Sequence, residues 1–491
     1  MKRSIAIFLI ACITGALSAQ VQFVQGDKTN KRAYTPSLIQ FPRNMPADRI
    51  IVVEPHLSAF GTGSTNTNVK YIKVRSCDMD WKDEKVTEIG DTKKYTIQAS
   101  FCTAEKLHVI VEKNNRDSLI IRHVALDLQN LNILTDTAIV RYEFGSDEHG
   151  WATVEHSPDG QKHALVYTIW DDYKNVSKAK AHLFDDNMKC QWQKVLEFGD
   201  VNRMIVTDKG EVVTAAIGYL PDKDEESVFR FNVADAGGVA YGILNTQYDL
   251  SSMSLLNYVD GKVLLTALEG KGRDRKFFAV RSFVFDIPFG VLLSGQRHAF
   301  TKDDIRVFEN EDADDDVDTT TNCLQALDYC TTPQGGAVLY NRSWTIEIRD
   351  YRTGAINSTT HCLGMLLFQV DMNGNFVTVT PFRQSNQYAN RPKVGADVLL
   401  HGNKLYIITN ESKEETDEYT PTVSAKRSYN LFKANTGLSI YSVTPNGQVK
   451  KQMLEKEKDA LVHTPLFKTA GEKYYFLTGG KFPNISHITL P

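Results

Sequence analysis

Ser157-Pro158-Asp159-Gly160-Gln161-Lys162-His163-Ala164-Leu165-Val166-Tyr167-Thr168-Ile169 decides how the rest of the chain is read. Its first four residues are a turn sequence, because an Asp-Gly pair favours the positive φ of tight hairpins. The apolar run 164–169 behind them has the composition of a strand.

Moving outward, the same pairing of turn and β-rich run appears seven times. The other turns are Thr103-Ala104-Glu105-Lys106, Thr207-Asp208-Lys209-Gly210 and Val259-Asp260-Gly261-Lys262. They continue with Pro333-Gln334-Gly335-Gly336, His401-Gly402-Asn403-Lys404 and Ala470-Gly471-Glu472-Lys473. Most units carry a further strand that stops at an acidic or Asn-Gly turn, as at Asp127, Asp185, Asp235, Asp286, Asp371 and Asn446-Gly447. Several strands alternate with period two: Phe229, Phe231 and Val233 share one face, Arg230 and Asn232 the other. Trp344, Ile346 and Ile348 alternate likewise with Thr345, Glu347 and Arg349. That is the pattern of half-buried strands.

From Gly160 the turn glycines recur after 50, 51, 74, 67 and 69 residues. A four-stranded propeller blade takes roughly 40–50 residues, so the first spacings fit directly and the later ones fit with insertions. The expected fold is all-β: a seven-bladed β-propeller closed by N- and C-terminal strands, with tandem β-sandwiches as the alternative. The unit beginning at Ser157-Pro158-Asp159-Gly160 resembles blades of secreted bacterial propellers, and the chain after residue 19 is similar to an uncharacterised family of such proteins. The last unit has chain for only three strands. Arg49-Ile50-Ile51-Val52-Val53, the most β-branched run near the N-terminus, is expected to pair antiparallel with 485–490 and complete it. The best helical pattern, 449–462, fits strand and loop equally well.

The expected layout is an export signal at 1–19, an extension at 20–48, and the propeller from 49 to 491 with insertions near 287–331 and 411–429. Lys2 and Arg3, the apolar run 5–13 and the small residues ending at Ala19 make the signal, cleaved to leave Gln20. Leu9-Ile10-Ala11-Cys12 offers a rival reading, lipid anchoring at Cys12. Secretion or a periplasmic location follows. No other window is apolar enough for a spanning helix. With net charge −4 and no long basic stretch, the electrostatic footprint of a nucleic-acid partner is missing. Six cysteines remain after cleavage; Cys323 and Cys330 are close enough for a local bridge, and Cys77 with Cys102 for one between neighbouring strands.

No nucleophile elbow, zinc-protease helix, P-loop or dinucleotide fingerprint is present. Glu309, Glu311 and Asp315 accompany Asp312, Asp314, Asp316 and Asp318, which alternate like the start of a Ca²⁺ loop. Val317 stands where glycine is needed and Cys323 where the bidentate Glu belongs, so the stretch reads as a solvated loop and no cofactor is assigned. His108, His123 and His163 read as structural histidines. Two stretches combine aromatic faces with polar groups suited to a sugar or peptide. One is Trp170-Asp171-Asp172-Tyr173; the other holds Arg383, Asn386, Gln387, Tyr388, Asn390 and Arg391. The expected function is therefore a binding or scaffolding propeller for a protein, peptide or glycan. The alternative is a polysaccharide-active enzyme with carboxylates from separate blades, Asp171 and Asp172 being the candidate acids.

Overall fold

Every one of the seven turn-led units forms the first hairpin of a four-stranded antiparallel sheet, and an eighth sheet precedes them. The computed structural model describes residues 21–28, 38–40, 49–57, 69–78, 82–90, 95–220, 223–246, 248–271, 276–287, 291–308, 320–321, 323–349, 356–389, 396–412, 419, 436–455, 468–470, 473–478 and 484–491, some of them by backbone alone. The blades in chain order occupy 38–89, 96–143, 148–195, 203–245, 250–299, 324–389 and 396–455, with the eighth built from 468–489 and 22–28. Strand order within blades one to seven follows the chain, so each is a simple meander. The structure is a β-propeller.

The turns act as their sequences require. Gly160 has φ 71° and its N–H bonds to Ser157 O at 2.9 Å; Gly210 repeats this with φ 86° and Thr207 O. The acidic residues that end the third strands work through their side chains. Asp185 Oδ1 accepts from the N–H groups of Asn187 and Lys189, and Asp371 Oδ1 from those of Asn373 and Asn375. A carboxylate that binds its own turn stops a strand, which is why Asp recurs there.

Burial follows strand position. Second strands such as Val212–Leu220 and Lys262–Lys271 are buried on both faces through their apolar centres. Outermost strands such as Ile133–Glu143 and Val291–Ala299 are mainly exposed. Seven apolar clusters each join one blade to the next, from the first–second seam to the seventh–eighth. Ile50 and Val52, on the face of Arg49–Leu57 turned away from the second blade, are fully buried as well. Tyr475, on the face of the eighth blade turned away from the seventh, is buried too, which is the burial a closed ring requires.

Three expectations are corrected here. The repeat yields eight sheets rather than seven, because the first blade enters its second strand through 41–48, a longer proline-containing connection without glycine. The closing strand is Gln22–Lys28, not the run 49–53: Gln22 pairs with Thr489 and Val24 with His487, antiparallel at the outer edge. Arg49–Leu57 lies between Leu38–Gln40 and Val69–Asp78 inside the first blade. A continuous β-branched run belongs in a strand buried on both faces, and the mixed sequence QFVQGDK suits an edge. Residues 22–28 and 38–40 thus put part of the expected extension into the ring. Finally, Cys323 and Cys330 carry free thiols, burial pushing that of Cys330 up to about 12, and Cys77 and Cys102 are not on paired strands.

Val449–Glu455 is a strand, and Lys302–Arg306 a single helical turn capped by Thr301 and Asp304. Among the described residues, no helix is long and apolar enough to cross a membrane.

Candidate functional site

The first strands of the third to sixth blades end around a cavity of about 500 Å³. They are Glu148–His156, Arg203–Val206, Leu250–Val259 and Leu324–Thr332. The third blade contributes Glu155, His156 and Pro158; the fourth contributes Val206, Asp208 and Glu211. Leu256, Tyr258 and Asp260 come from the fifth, Tyr329 and Thr331 from the sixth. The walls are therefore the turns that define the repeat. They are tied together across blades: Asp159 N–H donates to Asp208 Oδ1 at 3.0 Å, and Thr331 Oγ1 donates to the Leu256 carbonyl. Within turns, Lys162 N–H donates to Ser157 Oγ at 2.9 Å, and Glu211 N–H to Thr207 Oγ1 at 3.0 Å.

The cavity is acidic and aromatic. Burial raises the Glu155 carboxyl above its ordinary range, opposed by the His156 N–H that it accepts and by Arg203. Burial, then the nearby Glu211 carboxylate, raises the Tyr258 phenol; burial and Glu155 do the same to Tyr329. Asp159 is held low by its bond from Ser157 Oγ. Among the described residues, Lys209 is the one cationic side chain on the lining. Carboxylates of three blades thus face one space beside two tyrosine rings, an environment that favours a positively charged group.

Both stretches singled out by sequence lie at the other end of the ring. Asp171 closes the second strand of the third blade, and Asp172 and Tyr173 form the following turn, opposite the end that carries the Ser157 turn. Lys174 holds the Asp171 carboxyl below its ordinary range through bonds of 2.8 and 2.9 Å. Asp172 Oδ2 is 3.3 Å from His149 Nδ1, and Tyr173 is 86% exposed. Trp170 is paired in register with His149. Arg383, Asn386, Gln387 and Tyr388 lie on the outermost strand of the sixth blade, Phe376–Ala389, as it runs to that same end. The two stretches are three blades apart and do not form one site. Asn390 and Arg391, the acids Asp312, Asp314, Asp316 and Asp318, and residues 1–19 with Cys12 lie outside the described residues.

The histidines are not solitary. His108 Nδ1 lies 2.8 Å from His123 Nε2, and His156 Nδ1 lies 2.7 Å from His163 Nδ1. Phe101 is sandwiched between His108 and His163, with ring centroids at 4.9 and 3.8 Å. His182 stacks on Phe184 in the same seam between the second and third blades. Burial lowers His108 to about 3 and His123, His163 and His182 to about 4. All four are neutral at pH 7, and Phe101 keeps the two pairs from converging. Among the described residues no group of three His, Cys, Asp or Glu is arranged to hold a metal ion. Sequence reasoning missed the cavity because its members are spread from 155 to 331. The available signal was the alignment of the turns Ser157-Pro158-Asp159-Gly160, Thr207-Asp208-Lys209-Gly210 and Val259-Asp260-Gly261-Lys262.

No family model and no curated protein matches the chain. Among solved structures, it is similar to the Dos1 propeller at 7% identity and a TM-score of 0.44, over 95% of this chain and 94% of that one. It is also similar to the β-propeller domain of the Trilobed protease from Pyrococcus furiosus, described as having an open velcro topology, at 8% identity and a TM-score of 0.36, covering 88% and 96%. Cobalt-substituted Synechocystis ACO matches at 9% identity and a TM-score of 0.35, covering 96% and 93%. Likenesses this distant add nothing to the strand pairing above.

Proposed function

We propose that this chain is an exported binding propeller that takes its ligand in the cavity ringed by the turns of the third to sixth blades. The observation that carries the reading is the convergence of Glu155, Asp208, Glu211 and Asp260 with Tyr258 and Tyr329 around one space. The ligand class this lining favours is a basic group on an apolar frame, such as a lysine- or arginine-bearing peptide segment. Leu256 and Val206 accommodate the apolar stem, the rings its cationic end, and the carboxylates its charge. Export rests on the signal pattern of residues 1–19, with the periplasm or the medium as destination.

Calorimetric titration with short peptides differing only in Lys, Gln or Glu at one position tests this. The lysine peptide is expected to bind, and Asp208→Asn with Tyr258→Ala to weaken it by about tenfold or more. Equal binding of all three peptides contradicts the reading. A second reading, hydrolysis of a polysaccharide, is favoured by one observation: Glu155 is a carboxyl raised by burial, as a proton donor requires. Sugar release from a polysaccharide panel, abolished by Glu155→Gln, would establish it in place of simple binding.

A further inference from the structure

His156 belongs to two structures at once: it lines the cavity, and it is hydrogen-bonded to His163 inside the seam between the second and third blades. The seam holds His108, His123, His156, His163 and His182, five of the twelve histidines of the chain. Each imidazole pair needs one ring to donate and the other to accept, so a pair tolerates one added proton but not two. His108 Nε2, His163 Nε2 and His182 Nε2 are buried with no hydrogen-bond partner among the described residues. A proton added there creates a buried charged N–H group that no acceptor satisfies.

We propose that proton uptake by these imidazoles opens the seam between the second and third blades and, through His156 and the turn 157–160 that follows it, dismantles one wall of the cavity, so that bound ligand is released in acid. The proposal rests on the cavity being the binding site. Protons come from solvent, and each goes to a ring nitrogen that was neutral while the seam was closed.

The charged surroundings do not cancel the effect. Lys106 disfavours protonation of His108 and His123, and Lys180 that of His182. Asp136 favours it at His123, and Asp159 and Asp185 at His163, but burial is the larger influence at each. Glu112 crosses the seam to accept the Ala152 N–H at 3.1 Å. Burial raises its carboxyl, so its own protonation favours the closed seam: one group against four. At the rim, Lys106 Nζ donates to Asn187 at 3.4 Å, a single exposed bond between the blades. The closed seam holds these imidazoles neutral and opening returns them to the ordinary value of 6.5, so the sign is fixed. Acid favours the open form by roughly tenfold per exposed ring at one pH unit below that value.

Hydrogen exchange read by mass spectrometry on the ligand-free full chain, at about pH 7.5 and 5.5, tests the proposal without a ligand. Protection factors in 107–111, 119–126 and 163–169 are expected to fall by roughly tenfold or more in acid, while those in 229–233 and 283–285 stay nearly constant. Replacing one pair, His108→Leu with His123→Leu, is expected to shrink the acid effect. No loss of protection at the seam, or an equal loss in every blade, would overturn it. Because no ligand is present, that failure is separate from a failure of the binding reading. If the seam opens as expected but the lysine peptide never binds, only the binding reading falls.

Discussion

Two seams of the same ring are built from different chemistry. Between the fourth and fifth blades, Phe229, Phe231, Phe283 and Phe285 form one cluster, with Phe229 edge to face on Phe283 at 5.2 Å and Phe231 tilted against Phe285 at 4.8 Å. Between the second and third, imidazoles hold the corresponding layer, with Phe101 stacked between the two pairs and Phe184 beside His182. Both seams are well buried, so area alone does not distinguish them. The four phenylalanine rings carry no titrating group, so their contribution is the same at neutral and acid pH. The histidine seam contributes fully only while its rings are neutral. A propeller held by many similar interfaces thus gains one whose strength depends on the medium.

The largest expected effect separates the two seams by pH. His108, His123, His163 and His182 have folded values of about 3 to 4 against 6.5 when exposed. The unfolded chain therefore binds more protons below 6.5, and stability falls as pH drops from 6.5 toward about 4. Each ring costs roughly 1.4 kcal/mol per pH unit inside that window, so four rings approach the whole stability of an ordinary domain within two units. Chemical denaturation between pH 7.5 and 4.5 should show this fall, with most of it below 6.5; a flat profile would remove the distinction between the seams.

Next in size is a cavity in the phenylalanine seam. Phe231→Ala should cost about 3–5 kcal/mol because the ring is fully buried, and the cost should be equal at neutral and acid pH. Urea melts at both pH values check it, and a cost that changes with pH would erase the contrast. The smallest effect is His182→Phe, which keeps an aromatic ring beside Phe184 and removes one titrating group. It should lower the pH slope of stability by roughly 1.4 kcal/mol per unit and change neutral stability little. An unchanged slope would mean that His182 does not titrate on unfolding.

The architecture was largely legible, for local reasons. Turn chemistry at Gly160 and Gly210 and the Asp stops at Asp185 and Asp371 are fixed by a few adjacent residues, so the blade repeat can be read directly. The first blade escaped notice because 41–48 replaces the short glycine turn. The closing strand was misassigned because β-branching marks burial on two faces, not an edge; Gln22–Lys28 is an edge strand by its polarity. The site was hardly legible. Trp170 to Tyr173 form a local aromatic cluster that sequence makes conspicuous, whereas Glu155, Tyr258 and Tyr329 meet only when the third to sixth blades pack side by side. The histidine pairs show the same limit: His108 meets His123 across a hairpin, but His163 is brought to Phe101 by packing of separate blades.

The measurement that tests the account most directly is the affinity of the full chain for a lysine-bearing peptide at about pH 7.5 and 5.5, in the parent and in the His108→Leu, His123→Leu variant. The variant lacks two of the seam imidazoles and keeps every carboxylate of the cavity, so the difference between the two chains reports the seam rather than the electrostatics of the ligand site. The account predicts binding at the higher pH, a loss of about tenfold or more at the lower, and a smaller loss in the variant. Equal affinity at both pH values in the parent would contradict it.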